Sequence, residues 1–309
     1  MATKQLHKVL LMRLIRIRLL FITAFIFAGC KKDATTPITS DPVISEADVS
    51  TNLASTKVVQ AGPVAVFDAN LNKNKDLSAY AAVAGNRYSA AVINPGCISV
   101  VNDPIYGSRR KVMFMDVGIN DNAGITSNPR AQVQTPMSYT EGQTVYVGFS
   151  VYFPATFYTM FLTISEIYGS PYNGTSPFRI AIQNSNIVAS ATKPGVQKNL
   201  WLEPFQAGVW YDFVYCETLS QSSTIGQVQV WLRKTGVSSF TQIVAPTKIP
   251  TITRANVTGP NYHKLACYYD KSYIFTDAKK KTKVTEVKEY LTNHKVGSTF
   301  ASVAPAYIH

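Results

Sequence analysis

From about Val58 onward, short runs of β-branched and aromatic residues alternate with polar ones at period two, and clusters of Gly, Pro, Asn and Ser break the runs. This pattern constrains the fold more than any other feature of the chain. A strand written this way has one apolar face, and several such strands can bury those faces only by closing one sheet against another. Helical periodicity is nearly absent. Strands are predicted at 111–117, 130–135, 144–153, 161–168, 178–183, 210–218, 227–234, 262–269 and 283–290, and a two-sheet antiparallel sandwich is the natural architecture.

The clearest strand carries Val145, Val147, Phe149, Val151 and Phe153 on its core face and Tyr146, Gly148, Ser150 and Tyr152 on an amphipathic one. A second, Trp210-Tyr211-Asp212-Phe213-Val214-Tyr215, follows the turn signal Gln206-Ala207-Gly208 and is expected to pair with the run after Gly226. No internal repeat is visible. The segment 58–309 supplies about 250 residues, enough for one large core, and no second domain is required.

The first thirty residues read as a targeting segment. Lys4, Lys8, Arg13, Arg16 and Arg18 form a basic start, and the apolar run Leu19 to Ala28 is short for a membrane span. The ending Phe27-Ala28-Gly29-Cys30 resembles a bacterial lipobox, which implies a signal peptide at 1–30 and lipidation of Cys30. A short anchor that is never cleaved is the other reading. Residues 31–57, rich in Thr, Ser, Pro and Asp, read as a flexible linker. The expected location is the bacterial cell envelope, at the outer membrane on either its periplasmic or its outer face, with the membrane reached through the lipid on Cys30.

Of the formal charge of +12, the five cations of the targeting segment account for five units and leave +7 on the remainder. A basic body fits an acidic polymer. Lys279, Lys280, Lys281, Lys283 and Lys288 supply much of that charge from one stretch, which is either a solvated edge or a binding patch. No nucleic-acid motif appears, and nucleic acid is not an expected partner. Cys97, Cys216 and Cys267 read as free thiols, with one disulfide left open. No Cys/His spacing suits zinc, and neither a metal nor a cofactor is expected, although a structural Ca²⁺ at the sandwich rim is left open. Asn173-Gly174-Thr175 reads as a turn, and a monomer is expected.

Three separated stretches project polar side chains from one strand face. Arg130-Ala131-Gln132-Val133-Gln134 presents Arg130, Gln132 and Gln134; Ile164-Ser165-Glu166-Ile167-Tyr168-Gly169 presents Glu166 and Tyr168. Tyr262-His263-Lys264-Leu265-Ala266-Cys267-Tyr268-Tyr269 presents Tyr262, Lys264 and Tyr268, with His263 directed the other way as an inter-sheet histidine. In this order the stretches resemble the three strand motifs of the jelly-roll polysaccharide lyases, namely the alginate lyases with the glucuronan and heparin lyase I groups. Those motifs read R-x-E-x-R, Q-I-H and Y-F-K-x-G-x-Y-N. Tyr146 to Pro154, Gly208 to Val214 and the closing stretch Val296 to Pro305 resemble the family's connecting segments, so the likeness spans about 111–305.

The resemblance implies a concanavalin A-like jelly roll and β-elimination on an acidic, uronate-containing polysaccharide. Carried over by position, Arg130 would engage the uronate carboxylate and Lys264 would add positive charge. Tyr268 would act as acid, with the base role open to it as well, and Tyr168 would be a second proton-transfer group. Gln132, Gln134, Glu166 and Tyr262 complete the expected substrate-binding set. The departures are Gln132 for the family's acid, Gln134 for its second arginine, Glu166 for its neutralising glutamine and Tyr168 for its histidine. An ionised Glu166 would repel a substrate carboxylate unless it were protonated or paired with Arg130. The competing readings are a surface glycan-binding lipoprotein that keeps the groove without the chemistry, and a structural charge network of Arg130, Glu166 and Lys264 across neighbouring strands. A retaining glycosidase would need two facing carboxylates about 5 Å apart, and no strand shows such a pair.

Overall fold

The computed structural model describes residues 67–80, 92–122, 128–169, 176–193, 196–252 and 261–306. The expected signal peptide, Cys30, the linker at 31–57 and the turn at Asn173 lie outside the described residues. Two antiparallel sheets dominate. The eight-stranded sheet runs, in spatial order, β14 (Thr241–Lys248), β13 (Gln227–Lys234), β12 (Trp210–Thr218), β6 (Thr144–Tyr152), β17 (Glu286–Gly297), β4 (Gly107–Gly118) and β3 (Ile98–Asp103), with β1 (Phe67–Asp68) added against β17. The seven-stranded sheet runs β11 (Val196–Pro204), β10 (Asn186–Lys193), β9 (Phe178–Gln183), β8 (Leu162–Gly169), β15 (Asn261–Tyr269), β5 (Arg130–Gln134) and β2 (Val92–Ile93). A small ribbon of β7 (Tyr158–Thr159) and β16 (Ile274–Phe275), and the single-turn helices α1 (Leu71–Asn74) and α2 (Phe300–Val303), flank the sheets.

The period-two pattern does what the sequence demanded. Val145, Val147, Phe149, Val151 and Phe153 are fully buried against Tyr211, Phe213 and Tyr215 of β12, and they meet Ile164, Ile180, Ile182 and Leu265 of the facing sheet in one core. At roughly 25 cal/mol per Å² of apolar surface removed from water, this shared core is the main force holding the layers together. The fold is therefore the expected all-β jelly-roll sandwich. The strand expected at 283–290 begins at Glu286 and runs on to Gly297. Its alternation breaks at the adjacent buried pair Leu291 and Thr292, where the register shifts and Asn293 takes a left-handed φ of 54°. A bulge of this kind hides the second half of a strand from a period-two search.

Cys97, Cys216 and Cys267 are free, so the disulfide left open by the sequence does not form among them. The lysines at 279, 280, 281 and 283 are exposed, and Lys288 bonds Glu286 at 2.6 Å, as a solvated charged edge would.

The outer face of the eight-stranded sheet is more covered than an amphipathic strand suggested, since Ser150 is inaccessible and Tyr152 is buried. Helix α2 seats directly over Gly148 and Gly297; a Cβ at Gly148 would collide with the Val303 carbonyl, so only glycine admits the helix there. Arg233 fastens the chain just beyond this helix. Its guanidinium donates to Asp212 at 2.9 and 2.6 Å and to the Pro305 carbonyl at 2.7 Å.

Polar groups also cross the interior. His263 of β15 meets His294 of β17 with Nδ1 and Nε2 2.6 Å apart, His294 Nδ1 meets the Tyr80 hydroxyl at 3.0 Å, and His263 Nε2 meets Ser165 Oγ at 2.8 Å. Ser165 in turn lies 3.1 Å from the Tyr215 hydroxyl. Each neutral imidazole offers one donor and one acceptor, so the chain closes with both rings neutral, whereas protonating both would set two N–H groups against each other. Burial does lower both pKa values, that of His294 to about 3. Burial acts oppositely on Glu217 and Glu289, raising both carboxyls well above 4.5, with Glu166 adding to the effect at Glu217.

The signs fix how these four groups bias stability. Below 6.5 the unfolded histidines take up protons that the folded ones refuse, so stability falls as pH drops. Above 4.5 the unfolded carboxyls lose protons that the folded ones keep, so stability falls as pH rises. Between 4.5 and 6.5 the two pairs oppose each other. We expect a stability plateau in that interval and a decline on the alkaline side of up to about 1.4 kcal/mol per pH unit for each acid. Urea melts of the parent and of Glu289→Gln across pH 5–9 check it; an alkaline slope no shallower in the variant would refute the assignment.

Candidate functional site

The outward face of the seven-stranded sheet collects the polar residues singled out by the sequence. In β5, Ala131 and Val133 are fully buried in the core, which turns Arg130, Gln132 and Gln134 outward. The start of that strand is pinned: Arg130 N–H donates to the Asp121 carbonyl at 2.7 Å, and the Asn94 side chain donates to the Arg130 carbonyl at 2.7 Å. In β15 the inward set is His263, Leu265, Cys267 and Tyr269, and the Tyr269 hydroxyl locks the strand by donating to the Val117 carbonyl at 2.8 Å. Tyr262, Lys264, Ala266 and Tyr268 therefore face outward, as expected.

Register assembles these residues into rows, because directly paired antiparallel residues share a face. Tyr268 pairs with Arg130 on one side and Thr163 on the other; Lys264 pairs with Gln134 and Glu166; Tyr262 pairs with Tyr168; Ala266 pairs with Gln132. The register of β8 shifts between the Lys264 and Tyr268 rows, and the shift lets Ser165 turn inward to His263 while Glu166 stays outward. Gln132, Gln134, Glu166 and Lys264 are each less than a tenth exposed, so the rows floor a recess.

The charges settle as the competing charge-network reading allowed for two of its three members. Glu166 pairs with Lys264, Oε1 to Nζ at 2.7 Å. The Lys264 ammonium also lies 4.2 Å from the Tyr168 ring centroid, and Tyr168 and Tyr262 pack with centroids 5.9 Å apart. The pair thereby neutralises both the cation expected to serve the substrate and the anion expected to repel it. Arg130 stands apart from it, its guanidinium 4.2 Å over the Tyr268 ring. That ring also packs edge-on with Phe161, centroids 5.2 Å apart. Arg130 and Tyr268 thus share one recess, and the guanidinium and the phenylalanine together hold the tyrosine ring.

His263 and His294, the histidines of the described residues, both lie in the interior, so neither reaches the recess. The tyrosines on this face are Tyr168, Tyr262 and Tyr268. Arg179 was missed. It is the cross-strand partner of Glu166 from β9, on the side away from Lys264, and its Nη2 donates to Gln197 Oε1 at 3.0 Å. Its signal was present in Phe178-Arg179-Ile180-Ala181-Ile182-Gln183, where the apolar residues alternate inward and Arg179 is the charged member of the opposite set.

Comparison with known proteins agrees with this architecture. No curated protein matches the sequence. Among solved structures, the endo-β-1,4-glucuronan lyase of the fungus Trichoderma reesei superposes with a TM-score of 0.54 at 17% identity, over 80% of this chain and 100% of that one. A GH131 β-glucanase catalytic domain from Podospora anserina gives 0.47 at 16% identity over 79% and 88%. The alginate lyase vAL-1 from Chlorella virus gives 0.44 at 10% identity over 77% and 100%. The family model described as polysaccharide lyase matches residues 72–287, a stretch that takes in every strand of the recess, and the chain accordingly belongs to the polysaccharide lyase family.

Proposed function

We propose that this protein cleaves a uronate-containing polysaccharide by β-elimination at the Arg130–Tyr268 centre. The observation that carries the reading is the placement of the Arg130 guanidinium 4.2 Å over the Tyr268 ring, on the face where Lys264 is paired with Glu166. Arg130 offers the planar fork that binds a carboxylate. Neutralising the uronate carboxylate acidifies the C5 proton, because the charge that builds up on removing it spreads into the carboxyl group. A base takes that proton, the electron pair forms the C4–C5 double bond, the bond from C4 to the bridging oxygen breaks, and that oxygen leaves with a proton. Tyr268 is the proton-transfer group in this scheme, and Tyr168, beside the Lys264 ammonium, is the second. Gln132, Gln134 and Tyr262 line the same face and bind the sugar.

Incubation with glucuronan, alginate and heparin-type chains tests the reading. At least one polymer should develop the ultraviolet absorbance of an unsaturated uronate, and its carboxyl-reduced form should not. Release of ordinary saturated reducing ends, or no cleavage of any uronate polymer, would overturn it. In the same reading Cys30 carries lipid and holds the protein at the cell envelope; Cys30→Ser should shift the protein out of the membrane fraction.

A further inference from the structure

The recess continues past the Glu166–Lys264 pair. The row that contains Lys264 and Glu166 passes to Arg179 of β9, then to Ser190 of β10 and Asn199 of β11. Ala189 and Ala191 pack into the core, so Ser190 and Thr192 face the same way as Arg179. Three atoms here share one property. Arg179 Nε, Ser190 Oγ and Thr192 Oγ1 are all buried and have no hydrogen-bond partner among the described residues. Leaving a buried polar atom unpaired costs about 1–3 kcal/mol, so three at neighbouring positions of one face mark a place that a ligand completes. Arg179 also takes part in no ion pair among the described residues, whereas the lysine next along the row is neutralised.

We propose that Arg179, steadied by Gln197 and backed by Ser190 and Thr192, forms a second carboxylate subsite of the recess. This deepens the lyase reading and rests on it only for the identity of the polymer. Strands β5 and β9 are separated by β15 and β8, which spaces the two arginine positions about 14 Å across the sheet at the usual strand spacing, and Arg179 stands in the Lys264 row whereas Arg130 stands in the Tyr268 row, so an offset along the strands adds to that separation. That is more than one sugar ring. The subsite therefore reads a different uronate from the one cleaved, and selects polymers whose acidic residues recur within a few units over those with isolated ones.

Affinity electrophoresis through gels containing glucuronan or alginate tests this without turnover, in a Tyr268→Phe background. Arg179→Gln should weaken retention about tenfold on a polyuronate that retains the parent, and Arg179→Lys, which keeps the charge but not the fork, should fall between. Retention on the carboxyl-reduced polymer should be the same for all three. In the active protein, Arg179→Gln should raise KM about tenfold while kcat falls no more than about twofold. The proposal is overturned if neither polyuronate retains the parent, if Arg179→Gln is retained as tightly as the parent, or if dextran sulfate shows the same dependence on Arg179, which would mark an unselective anion patch. Arg179-dependent retention without any cleavage would leave the subsite standing and remove the lyase reading alone.

Discussion

Tyr268→Phe should fold like the parent and lose about 10²–10⁴-fold in kcat, the usual worth of a positioned proton-transfer group. The substitution removes one hydroxyl and nothing else that the structure uses. The ring keeps its guanidinium neighbour 4.2 Å away and its edge contact with Phe161, so thermal stability should be unchanged. Polymer binding should also persist, because Arg130 and the floor glutamines remain. A variant that still cleaves at the parental rate would move the proton transfer to Tyr168, and Tyr168→Phe would then carry the loss. Parallel loss of kcat and of folding would instead show the hydroxyl to be structural.

Lys264→Met should be the most destabilising single change in the recess, costing about 3–5 kcal/mol, because it leaves the Glu166 carboxylate in a buried position without its cation. Lys264 and Glu166 side chains are 9% and 7% exposed, so water cannot replace the lost partner well. Pairing the change with Glu166→Leu should recover most of the loss, since an apolar pair of similar volume costs little where an orphaned charge costs much. Chemical denaturation of the parent, both single variants and the double variant measures the coupling directly. A single variant as stable as the parent would show that the pair is solvated.

The layering and the recess were legible from the sequence to different degrees. Runs such as Val145 to Phe153 carry large apolar residues on one face, and their burial follows from periodicity alone. β10 and β11 were invisible for a physical reason: Ala189, Ser190 and Ala191 are too small to raise an apolar signal, and Gln197, Lys198 and Asn199 are polar on an exposed outer strand. β14 is likewise an edge strand, interrupted by Pro246. Which residues point into the recess could be read from alternation within β5, β8 and β15. Partnership could not, because it depends on register between strands distant in the chain. Thus the sequence left the partner of Glu166 open between Arg130 and Lys264, while the pairing of β8 with β15 supplies Lys264, and Arg179 enters only once β9 is placed beside β8.

The seating of α2 over Gly148 has a practical corollary. Because Arg233 holds the Pro305 carbonyl against the eight-stranded sheet, the last described residues lie on the side opposite the recess. A surface, a fluorophore or a fused module attached there would leave the outward face of the seven-stranded sheet unobstructed, and the same protein immobilised through that point should present that face to solution.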